Sequence, residues 1–270
     1  MKELLSFEFR KLRRTKSLWI CTIIMVVLKI AGVVITYATQ RMITTLSTVE
    51  GISEADLGGT ILSSSGLKEL ATASNGSNIT ILFAIFVTLF ICSDFTEGTI
   101  KNILSRGFTR EQVFFAKSIC IVCAGILFGL LSMLVGFIAG TVAFGVGSGF
   151  SSSLIFSMLI QLLALIAYIM MDVLLAVLFT KAGGSMTLGI IIPMVVPMIG
   201  QLGDLAFSAI IESIDYNDAV VSRYLISHNL SSISNLNVSG GTLAIAAVIF
   251  VVYIILFTLL GILSIRKKEV

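Results

Sequence analysis

"SDFTEGTIKNILSRGFTREQVFFAKS", residues 93–118, carries seven charged side chains between two apolar runs that carry none. Within it Ile100, Ile103 and Leu104 recur at i, i+3 and i+4, with Lys101, Asn102, Ser105 and Arg106 on the other side. That spacing predicts an amphipathic helix of about two turns. Gly107 can take the left-handed conformation that ends a helix. Thr109 is then a natural N-cap, and Gln112, three residues on, completes a capping box. Glu111 places negative charge in the first turn of the next helix, where the macrodipole favours it. The expected order is an apolar span, a short helix lying along the membrane, a sharp turn and a long span. A solvated loop with one helical turn is the simpler alternative.

The rest of the chain decides the environment of that stretch. Of 270 residues, 57% are hydrophobic and only 12% charged, and the mean hydropathy is +1.06. A soluble domain has about 25% charged residues, so this chain cannot cover itself against water. Apolar runs at 18–38, 79–92, 113–146, 154–180, 185–211 and 242–265 predict six spans. The second run is short but can continue helically into the charged stretch. The third, at about 1.5 Å per residue, is roughly 50 Å long and must protrude. The fold class is therefore all-α: a polytopic membrane protein forming one domain over 1–270. Its expected parts are an interfacial helix (1–17), an outer loop (39–78), the charged region (94–112) and an outer re-entrant segment (204–241).

Fourteen of the eighteen Lys and Arg residues fall on one side of this arrangement, against Arg41, Lys68 and Arg223 on the other. This is the positive-inside pattern, and it places both termini in the cytoplasm. In "MKELLSFEFRKLRRTKS" (residues 1–17), Leu4, Leu5, Phe9 and Leu12 interleave with bases, which suits a helix on an anionic leaflet. A signal peptide does not fit, because the following apolar run is too long and no A-x-A site follows. Cys21, Cys92, Cys120 and Cys123 all lie in or beside apolar runs, so no disulfide framework is expected.

Lys29 and Asp172 are the deep intramembrane charges. Counting along the helices puts them roughly 16 Å and 13 Å from the cytoplasmic side. Those depths permit an ion pair between the first and fourth spans, and a place in a substrate path is the alternative. Pro193 and Pro197, the only prolines, each remove a helix donor in the fifth run. With Gly200, Gly203 and Asp204 they predict a helix break near the outer face. The apolar pieces "LAFSAII" (205–211) and "AVVSRYLI" (219–226) then read as helices dipping part-way into the membrane, or as an ordinary outer loop. Gly125, Gly129, Ser132, Gly136 and Gly140 form a stripe of small residues that allows close helix approach, within one subunit rather than at a dimer seam. Nothing points to catalysis: His228 is the only histidine, no zinc or nucleophile motif occurs, and no cluster has metal-ligand spacing.

A Glu-Gly-Thr after the second span, a short helix, a Gly-x-x-Arg and a following Lys resemble the permeases of type-2 ABC exporters. Here those residues are Glu97, Gly98, Thr99, Gly107, Arg110 and Lys117. The order of spans and loops along essentially the whole chain resembles them too, as in the small six-span permeases of antimicrobial-peptide, lantibiotic-immunity and bacitracin-resistance systems. The resemblance implies a coupling helix, with Ile100, Lys101, Ile103, Leu104 and Arg106 among the residues seated on a separate cytoplasmic ATPase. It further implies a dimer of permeases with two ATPase copies in a bacterial plasma membrane. The second and fifth spans would then line a substrate path at a dimer interface, with Phe83, Phe86, Phe90, Met186, Ile190, Met194 and Met198 as its candidate residues. The chain has no G-x-x-x-x-G-K-[ST] loop, so ATP and Mg would be bound by the partner and this subunit would hold no cofactor. Membrane lipid is a further partner, and nucleic acid is not. A non-transporting sensor, tether or assembly factor, or a secondary transporter, would also use a charged cytoplasmic loop. A secondary transporter would need deeper and more numerous charged relays than Lys29 and Asp172.

Overall fold

In lipid a backbone must satisfy its own hydrogen bonds, and an apolar run can do so by coiling into a helix. The computed structural model describes residues 2–50, 64–73, 77–147, 150–210, 220–236 and 238–267, and among them every regular element is helical. In chain order these are α1 (Lys2–Arg14), α2 (Lys16–Glu50), α3 (Gly66–Thr72), α4 (Ser77–Thr96), α5 (Thr99–Leu104) and α6 (Arg110–Phe144). There follow α7 (Ser152–Phe179), α8 (Ala182–Ile210), a 3-10 turn (Ser222–Tyr224), α9 (Ile226–Ile233) and α10 (Gly240–Lys267). Six of these, α2, α4, α6, α7, α8 and α10, are long and apolar enough to cross a membrane. The short second run does continue into the charged stretch, as far as Thr96.

Helices α4 and α7 form the middle of the bundle, whereas α2, α8 and α10 turn most of their surface outward. The largest core cluster joins Phe83, Phe86 and Phe90 of α4 to Phe128 of α6 and Ile169 of α7. A second joins α7 to α9 and α10 through Tyr168, Leu230 and Phe250. The small-residue stripe of α6 is used within this chain. A Cβ on Gly129 would come within 2.8 Å of Leu165 on α7, and one on Gly140 within 2.8 Å of Glu69 on α3.

Helix α3 lies inside the segment expected as an outer loop, and nothing in its sequence announced its place. It packs along α6, with Gly66 N–H donating to Gly145 O (2.9 Å) and Leu67 N–H to Val146 O (3.2 Å). The carbonyls at its end, which a helix leaves without partners, are satisfied by three spans. Lys29 of α2 and Ser132 of α6 both donate to Ala73 O, and Gln161 of α7 donates to Ala71 O at 2.8 Å. Burial pushes the Glu69 carboxyl above its ordinary pKa range, and the Lys29 and Lys68 ammoniums beside it pull the other way.

This arrangement corrects two expectations. Lys29 does not pair with Asp172: its ammonium is taken by α3, while Asp172 faces α8 near Gly189. Pro193 and Pro197 do not break the fifth span either, for α8 is one helix from Ala182 to Ile210. Transmembrane helices tolerate proline where the freed groups find other partners. Most of "LAFSAII" is thus the end of α8, and residues 211–219 lie outside the described residues. Beyond them Asp204 accepts the backbone N–H groups of Val220, Val221 and Ser222, which anchors the returning chain to α8. Helix α9 then packs on α10 and α7.

Candidate functional site

The charged stretch folds as a lever between two spans. Gly98 ends α4 and starts α5 with φ +68°, a conformation that costs glycine little. Gly107, at φ +87°, turns the chain back after α5. The capping box then forms: Gln112 N–H donates to Thr109 Oγ1 at 3.3 Å, and Thr109 N–H to Gln112 Oε1 at 3.1 Å. Gly107 and the capping box, both read from the sequence, therefore agree with the backbone they specify.

The apolar side of α5 is buried against this chain rather than left for a partner. Ile100 and Ile103 are buried, and Ile103 clusters with Leu4 of α1 and with Val113 and Ala116 of α6. A helix this short is stable only when such a face is covered. Ile100 and Ile103 are consequently packing residues, and the surface open to another molecule is Glu97, Lys101, Asn102, Ser105 and Arg106. Thr99, Leu104 and Arg110 are half-buried. Between α1 and α5 runs a groove of about 420 Å³, bordered by Glu3, Phe7, Asn102, Arg106 and Phe108.

Beneath α5 lies a cluster that sequence reasoning missed except for Lys117. Lys117 of α6 bonds Glu8 of α1 (2.8 Å) and Asp94 of α4, and Lys11 of α1 also bonds Asp94. Glu8 and Asp94 are fully buried. The ring of Phe90 lies below both ammoniums, 5.0 Å from Lys11 and 5.7 Å from Lys117, in cation–π range. Two cations face two carboxylates, so the cluster is formally neutral. Such a group stabilises little by itself, but each member needs the others, since a lone buried charge is expensive. Its effect is to tie α1, α4 and α6 together where the chain leaves for α5. The available signal was the spacing Leu4, Glu8, Leu12, which puts an acid on the one buried stripe of α1. At the surface Arg266 of α10 bonds Glu111 at 2.6 Å; exposed pairs of this kind contribute little.

The proposed path residues separate into two groups. Phe83, Phe86 and Phe90 belong to the buried core of the chain. They are buried side by side, with Phe83 also 5.5 Å from Phe128 between ring centroids. Met186 and Ile190 are half-buried on α8, while Met194 and Met198 stand on its outward face. Between α4 and α8 the hydroxyls of Thr88 and Ser185 meet at 3.1 Å.

A family model described as ABC-2 family transporter protein matches residues 4–200, from α1 to most of α8, with the buried charge cluster and the lever inside it. No curated protein matches the chain. The matched region and the six apolar spans describe the same object, a multi-pass membrane permease. The chain belongs to the ABC-2 family of transporter proteins.

Proposed function

We propose that this chain is the permease subunit of an ATP-driven exporter in a bacterial plasma membrane, with both termini cytoplasmic. A second permease subunit completes the pathway, and two copies of a separate ATPase bind and hydrolyse MgATP. The observation that carries this reading is the lever. Helix α5 is packed on one face, pinned at its base by the Glu8–Asp94–Lys117 cluster, and presents Lys101, Asn102, Ser105 and Arg106 outward. A rigid polar tip on a fixed base can pass a push from a soluble partner into α4 and α6 together. The positive-inside pattern supports the cytoplasmic placement of that tip.

The cargo we propose is an amphipathic or antimicrobial peptide, or a drug-like molecule of similar character. What supports it is the outward face of α8, where Met194 and Met198 offer flexible thioethers among aliphatic side chains. The test is to purify the permease from membranes with its bound ATPase, reconstitute the complex in vesicles and measure ATP hydrolysis. Candidate cationic amphipathic peptides should raise the rate several-fold. A permease that retains no ATPase under conditions that preserve its fold would contradict the exporter reading.

A further inference from the structure

Asp172 lies on α7, buried to 3% exposure, and its Oδ1 has no hydrogen-bond partner. It faces α8 where that helix has no side chain: a Cβ on Gly189 would come within 3.1 Å of Oδ1 and within 3.2 Å of Ala84 on α4. The polar side chains at the α4–α8 contact and on α2 have partners other than Asp172. Thr88 and Ser185 bond each other, and Lys29 bonds Ala73 O. Tyr168, one turn earlier on α7, is the nearest titratable neighbour on its own helix.

An ionised carboxylate can only accept hydrogen bonds, and an unpaired charge in this interior takes up a proton rather than remain charged. Protonation converts the problem, because the new O–H needs an acceptor. Four residues after Gly189 stands Pro193, inside the helix. Proline has no N–H, so the carbonyl of Gly189 has lost the donor that an α-helix would supply. Asp172, an acid short of an acceptor, therefore lies against Gly189, the residue whose carbonyl is short of a donor.

We infer that Asp172 carries its proton and donates it as a hydrogen bond to the Gly189 carbonyl, replacing the donor that Pro193 lacks. Asp172 is then a positioning residue that fastens the outward-facing α8 to the buried α7. Gly189 is required for the approach, and Pro193 is what makes the carbonyl available. This goes beyond the exporter reading and stands without it.

The test uses the full-length chain in lipid nanodiscs. Asp172→Asn keeps a donor and should melt with the wild type, whereas Asp172→Ala should melt several degrees lower. Pro193→Ala returns the missing N–H, so Asp172→Ala added to it should cause no further loss. Infrared spectra of the wild type at neutral pH should contain a protonated-carboxyl stretch that Asp172→Asn removes. That band decides the matter even if Asp172→Ala does not fold. Losses that simply add in the double variant, an Asp172→Asn protein as unstable as Asp172→Ala, or no such band would overturn the assignment.

Discussion

Lys117 holds two buried carboxylates from different helices, so removing it strands Glu8 and leaves Asp94 to Lys11 alone. Breaking a buried pair from one side costs about 3–5 kcal/mol. Lys117→Met should lower the unfolding free energy of the purified permease by that order, and adding Glu8→Gln should recover part of the loss. Thermal unfolding of the three variants checks it, and additive losses would mean that the two residues do not interact. The cluster was only partly legible beforehand. Glu8 sits on the buried stripe of α1, but one of two acids among the seven charges of an N-terminal helix reads first as solvated. The pairing of Lys29 with Asp172 failed for a related reason. Counting residues gives depth along a helix but not direction around its axis, and Lys29 turns toward α3.

At the scale of elements, α5 was the most legible part of the chain. Its register, its ending at Gly107 and the capping box at Thr109 are all local, and local signals survive folding. What covers its apolar face could not be read, because that requires knowing that α1 folds back beneath it. Ile103→Asp is for this reason a packing change, since it puts a charge among Leu4, Val113 and Ala116. Gly98 offers a cleaner perturbation. Its φ of +68° disfavours any side chain, yet a Cβ there would touch nothing within 4 Å. Gly98→Ala should therefore cost about 1–2 kcal/mol through the backbone alone. Hydrogen exchange should show it as faster exchange across 99–104 with the spans unchanged. Helix α3 was illegible for the opposite reason. "GLKELAT" has no span-length apolar run, and its place depends on Gly136 and Gly140 of α6 making room.

At the scale of the whole molecule the six spans followed from composition, but their arrangement did not. Helices α2 and α7 are equally apolar, yet one is mostly exposed and the other mostly buried. Lipid tails are as apolar as a protein interior, so hydropathy cannot tell the two sides apart. The same ambiguity put Phe83, Phe86 and Phe90 on a path when they form the core. Helix α5 holds the fold with one face, and we propose that its opposite face engages a soluble ATPase. Reversing the charge of that outer face tests it most directly, because Lys101 and Arg106 are exposed and belong to no ion pair among the described residues. The measurement is the amount of ATPase that co-purifies with Lys101→Glu/Arg106→Glu permease, together with the peptide-stimulated rate of hydrolysis. Thermal stability and membrane insertion should stay at the wild-type level, with at least a tenfold loss (about 1.4 kcal/mol) in ATPase retained or in stimulation. Wild-type assembly and wild-type stimulation in that variant would contradict that engagement.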